Sequence, residues 1–156
     1  MKNYKLILAE SSDLDRFLVA AEQAFNESPY STYFTFNKSR VERMFKQLQD
    51  LGKDKAIILL AENDSKIVGI LACMLEYSLM GVEDTAIEMS WWVSPEARNS
   101  RIAIKMIDAF EYWGTKLGVK RFVLSSMENE HAKSIDKFYL RKKYIKMENS
   151  YLKVIV

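Results

Sequence analysis

The sequence predicts an α+β (α/β) domain: a mixed, mostly antiparallel central sheet flanked by helices, with one parallel strand–helix–strand unit inside it. Three observations carry this prediction. Apolar runs over residues 56–61, 67–77 and 85–93 follow one another with only polar turns between them, the pattern of an antiparallel meander. The third run passes through Ser94-Pro95 into helical periodicity and out again into an apolar run at 119–125. That is the pattern of a right-handed βαβ crossover. Two amphipathic segments in the first third of the chain supply helices to cover the sheet.

Composition sets the frame. At 156 residues, about half apolar and a quarter charged, the chain reads as one domain over 1–156 with a core of its own. A net charge of +2 lacks the strongly basic face of a dedicated nucleic-acid binder, so no nucleic-acid partner is expected. Cys73 is the sole cysteine and can form no intrachain disulfide, which fits a reducing compartment. With no signal-peptide pattern and no run of membrane-spanning length, a cytoplasmic location away from membranes is expected. His131 is the sole histidine and no His/Cys cluster accompanies it, so no metal site is expected.

The elements follow in order. Tyr4 to Ala9 alternates as an opening strand, and Ser11-Ser12-Asp13 offers an N-cap. Leu14, Phe17, Leu18, Ala21, Ala24 and Phe25 recur at helical spacing until Glu27-Ser28-Pro29. Asn37 or Ser39 caps a second helix carrying Val41, Met44, Phe45, Leu48 and Leu51, closed by Gly52. Asn63-Asp64-Ser65 turns the first two meander strands into a hairpin. The crossover helix spans about 99–117, with Gly118 as its terminating C′ residue. A last helix covers roughly 132–140 and a last strand 150–156, which could pair between subunits of a homodimer.

The turn after Val93 bears on function. A strand feeding a helix N-terminus this tightly presents unpaired backbone N–H groups and the positive end of the helix dipole, a ready anion site. Arg98 and Arg101 add positive charge there. Glu88 lies five residues before Val93, so plain alternation places the two on opposite faces of the strand and puts Glu88, Ser90 and Trp92 on one face.

The run Val93-x-x-x-x-Arg98-x-x-Arg101-x-Ala103 resembles the acyl-CoA-binding signature of the GNAT N-acetyltransferase superfamily, with Arg101 where that family usually has Gly. The C-terminal Phe138-Tyr139-x-x-x-Lys143-Tyr144 resembles a second family pattern, with Lys143 again replacing Gly. The resemblance covers roughly residues 56–156. It implies a GNAT-like sheet holding acetyl-CoA as acyl donor, with Trp91, Trp92, Val93, Arg98, Asn99, Ser100, Arg101, Ile102 and Ala103 at the cofactor. It implies N-acetyl transfer to a primary amine of a small molecule or protein, by direct attack in a ternary complex. Glu88 is the candidate base and Tyr139 the candidate acid for the departing sulfur, while the Val93 N–H is the natural oxyanion donor. Tyr30, Tyr33 and Phe34, from a loop where the family's acceptor gate often sits, and Trp92 on the strand are candidate acceptor contacts. The alternative is a catalytically inactive GNAT-like domain that binds CoA or a protein, favoured by the two lost glycines.

Overall fold

The computed structural model describes residues 4–78 and 81–155. Its elements are β1 (Lys5–Leu8), α1 (Leu14–Glu27), α2 (Lys38–Leu51), β2 (Ala56–Asn63), β3 (Lys66–Tyr77), β4 (Asp84–Val93), α3 (Ile102–Lys116), β5 (Phe122–Val123) and α4 (Ala132–Arg141), with short 3-10 turns at Ser11–Asp13, Pro29–Thr32 and Pro95–Ala97. The strands lie side by side in the order β1-β2-β3-β4-β5. The first four are antiparallel and β5 runs parallel to β4, as the meander and the crossover predict.

Local chemistry explains the turns. Asp64 and Ser65 both hold positive φ, the geometry of a two-residue type I′ hairpin whose twist matches its strands. The Asn37 side chain accepts from the Arg40 N–H and caps α2, so Ser39 is not the cap. Ser11 and Ser12 do not cap α1 either. The Asp13 carboxylate instead accepts from the Glu10 N–H and pairs with Arg16, which also reaches Glu62 at 2.7 Å.

Each face of the sheet buries its own core. Ile57, Leu59, Leu71, Cys73 and Val93 face α3, which contributes Ile102, Met106, Ile107 and Phe110. Ile58, Leu60, Ile70, Ala72 and Trp92 face α1 and α2, where Phe17 and Phe45 meet at 4.8 Å between ring centroids. Gly114 lets α3 close down on the sheet, since a Cβ there would lie 2.5 Å from the Phe122 ring.

Three expectations about extent are corrected. The crossover helix begins at Ile102 rather than near Asn99, because Pro95–Ala97 forms a separate turn first. The strand expected over 119–125 pairs with β4 only at Phe122 and Val123. The strand expected over 150–156 is absent from its described part: 145–155 takes no regular structure, with Ile145, Met147, Tyr151 and Ile155 exposed and no neighbouring strand to complete a ladder.

Candidate acetyl-transfer cleft

The short β4–β5 pairing creates the site. Ala86 and Ile87 lie beside Phe122 and Val123, and beyond that point β4 continues to Val93 without a partner on this side. The Ser94 N–H donates to the Val68 carbonyl at 2.8 Å. An antiparallel ladder alternates its bonding direction, so the N–H and C=O of Val93 turn away from β3 and into the gap. A cleft of about 1140 Å³ follows this gap and continues under α1 and α2.

A β-bulge decides which way Glu88 faces. Ala72 pairs with Ser90 but Cys73 pairs with Glu88, leaving Met89 as an extra residue in β4. Every side chain before the bulge therefore changes face. Glu88 joins Cys73, Trp91 and Val93 on the α3 side, while Ser90 and Trp92 stay on the α1–α2 side. The expected sharing of one face by Glu88 and Trp92 is thus overturned, as is the opposition of Glu88 to Val93. Both Glu88 and Trp92 still line the cleft, because it runs past the edge of the strand.

Glu88 and Tyr139 clasp one backbone unit. The Ser125 N–H donates to Glu88 Oε2 at 3.0 Å, and the Tyr139 hydroxyl donates to the Ser125 carbonyl at 2.7 Å. Together they tie the chain after β5 to β4 and α4 where the strands part. Burial raises the Glu88 carboxyl above the usual carboxylate range, opposed by the Ser125 N–H. Burial also raises the Tyr139 phenol, helped by the charges of Glu88 and Asp136. Tyr139 is buried behind the wall and does not itself line the cleft, whereas its neighbour Phe138 does. The Trp91 ring packs on both at 6.2 and 6.1 Å. Its indole N–H is buried without an acceptor among the described residues. The Cys73 thiol is fully buried and pushed up by burial, then by Glu88, so it is no nucleophile.

The helix end that follows Tyr139 accounts for the second sequence pattern. Tyr144 N–H donates to the Tyr139 carbonyl and Lys143 N–H to that of Leu140, with Lys143 at φ +68. This is a Schellman cap, in which the residue at positive φ is usually glycine. The Tyr139 and Tyr144 rings supply its apolar contact at 5.8 Å. The Tyr139-to-Tyr144 spacing is therefore the length of a helix stop, and Lys143 performs it under strain.

At the other end, the Ile102 N–H is capped by Ser100 Oγ at 3.2 Å, while the Ala103 and Ile104 N–H groups find no acceptor among the described residues. These donors, the turned Val93 N–H and the Trp91 indole fit an extended thioester carrier ending in phosphates. Ile102 is buried in the core, Ser100 is spent on the cap, and Asn99 and Arg101 point to solvent outside the cleft.

The Arg98 side chain is held by partners within the protein. Its guanidinium reaches Glu27 Oε2 at 2.6 Å and the Val93 carbonyl at 2.9 Å, with His131 Nε2 3.5 Å away. The same Glu27 oxygen accepts from the Trp92 indole at 2.9 Å. Sequence reading missed Glu27, which looked like an ordinary helix-end carboxylate. Tyr30 lines the cleft, but Tyr33 and Phe34 are exposed outside it, and Phe25 and Phe36 take the wall positions instead. Those two rings pack at 5.5 Å.

Comparison with known proteins agrees with this geometry. A search of curated proteins found no match. Among solved structures, aminoglycoside 6'-N-acetyltransferase AAC(6')-IG from Acinetobacter haemolyticus superposes with a TM-score of 0.73 at 14% identity, covering 97% of this chain and 99% of that one. Glucosamine-6-phosphate N-acetyltransferase from Arabidopsis thaliana superposes at 0.75 and 16% identity, covering 99% and 100%. AAC(6')-Iy in complex with CoA gives 0.75 at 13% identity, covering 99% and 96%. The family model described as the acetyltransferase (GNAT) family matches residues 18–141, most of the chain. With strand order, parting strands and family model in accord, this chain belongs to the GNAT acetyltransferase family.

Proposed function

We propose that this protein transfers an acetyl group from acetyl-CoA to a primary amine, of a small molecule or a protein, by direct attack in a ternary complex. The observation that carries the reading is the parting of β4 from β5 after Ile87, with the Val93 N–H turned into the gap and Glu88 beside its closed end. Acetyl-CoA would supply the activated acyl group and a thiolate leaving group. The Ala103 and Ile104 N–H groups hold phosphate at the positive end of α3. The Val93 N–H is fixed before reaction and stabilises charge developing on the thioester oxygen. Glu88, with its raised affinity for a proton, takes one from the amine directly or through water. Tyr139, which keeps its proton at working pH, is the proposed source of the proton that reaches sulfur, from a hydroxyl held behind the cleft wall on the Ser125 carbonyl.

The test pairs isothermal titration of acetyl-CoA with a thiol-release screen across amine classes. Binding with release on one class is expected. Binding without release on any amine would instead establish a non-catalytic CoA-binding domain, and no binding would reject the carrier site.

A further inference from the structure

The cleft's two ends differ in chemistry, and the acceptor end is the informative one. Its walls come from α1, the segment 29–37 and α2. They present Phe25, Tyr30, Phe36, Val41 and Met44, and β4 adds Trp92. Two of the acids that line the cleft accept hydrogen bonds within the protein. Glu27 accepts from Arg98, Trp92 and Gln23. Glu88 accepts from the Ser125 N–H, while Glu130 is exposed, 3.4 Å from His131. The one charged side chain that α2 adds to the cleft is Arg40, which is exposed and has no ion-pair partner among the described residues.

A polycationic acceptor would bring several ammonium groups beside the Arg40 and Arg98 guanidiniums, which repel them. An apolar body covers these walls favourably, and an anionic group on it would pair with Arg40 in a charge-assisted, bidentate contact. Resting on the acetyltransferase reading above, we infer that the acceptor is a primary amine carried on an apolar, ring-bearing body that also bears a carboxylate. It is not an aminoglycoside or a polyamine. The step balances without a further reactant. The amine nitrogen forms the bond to the acetyl carbon, the carbon–sulfur bond breaks, and one amine proton ends on the sulfur, giving amide and free CoA thiol.

The experiment measures kcat/KM for phenylalanine and para-aminomethylbenzoate, for their carboxylate-free counterparts phenethylamine and benzylamine, and for kanamycin and spermidine. Each carboxylate-bearing amine is expected to exceed its counterpart by about three- to fivefold, the ratio for one charge-assisted contact at an exposed guanidinium. Arg40→Gln is expected to shrink that ratio to within about twofold, because the guanidinium is its source. Faster turnover of kanamycin or spermidine, or a ratio that survives Arg40→Gln, overturns the inference. The acetyltransferase reading fails separately, if acetyl-CoA binds and no amine releases thiol. In that case phenylalanine is titrated into the CoA-saturated protein. Binding weakened by Arg40→Gln upholds the acceptor pocket, and binding that is absent or unaffected overturns it.

Discussion

Glu88 joins two roles that pull in opposite directions. Its carboxyl is raised because burial disfavours the charge more than the Ser125 N–H favours it. A carboxyl with a raised folded-state value stabilises the fold below the ordinary carboxylate pKa, and that contribution is lost as pH rises through the raised value. Glu88→Gln is therefore expected to melt higher than wild type at neutral pH, with the gain vanishing in acid, as thermal unfolding at several pH values would show. The same variant is expected to lose roughly a hundredfold in kcat/KM where the carboxylate is ionised, and to lack the limb that rises with pH in the wild type. Parallel profiles would remove Glu88 from proton transfer. Tyr139→Phe separates chemistry from support: a fall in kcat of about tenfold or more with unchanged acetyl-CoA affinity marks a proton donor. Weakened affinity would mark Tyr139 as a strut for Ser125. Both residues stand out in the sequence as candidates, but the face that Glu88 takes does not. The bulge at Met89 is set by how Ala72 and Cys73 meet β4, and no alternation within β4 alone reveals it.

Among the elements, the helices and the three meander strands were readable, while the extents of β5 and of the C-terminal segment were not. The helices announce themselves through periodicity and caps, down to Asn37 at one start and Gly118 at one stop. The length of β5 and the fate of 145–155 depend on whether another strand lies alongside, which local sequence does not encode. The stop of α4 offers a direct check. Lys143 occupies a left-handed conformation that costs a side-chain-bearing residue roughly 1–2 kcal/mol, so Lys143→Gly is expected to stabilise the protein by about 1 kcal/mol in chemical denaturation. The packing of α3 should respond in the other direction. Alanine at Gly114 gains about 1 kcal/mol of helix propensity but drives a methyl into the Phe122 ring and against Ala86. The crowding is expected to win, with a net loss of about 1–2 kcal/mol, because Phe122 is held edge-on by Phe110 at 5.5 Å. A variant as stable as wild type would show that β5 gives way freely.

Across the whole molecule, the separation of the two cores by the sheet assigns the work. The α3–α4 side carries the clasp at Ser125 and the free N–H groups of the helix end, while the α1–α2 side carries the aromatic walls. This division was partly legible, since the acyl-carrier pattern lies in the readable second half of the chain and the wall residues in the first third. What the sequence concealed is the link between the halves, the contact of Arg98 with Glu27 and the Val93 carbonyl. That contact has a consequence for solubility. A strand that outruns its neighbour exposes an edge, and exposed edges recruit strands from other molecules. On β4 the last inward-turned carbonyl is occupied by a charged side chain anchored on α1, so the edge offers a ligand donors while denying a foreign strand a continuous ladder. Removing the guanidinium with Arg98→Ala should reopen that ladder, and the protein should then self-associate as its concentration rises, with bound CoA suppressing the effect by filling the same edge.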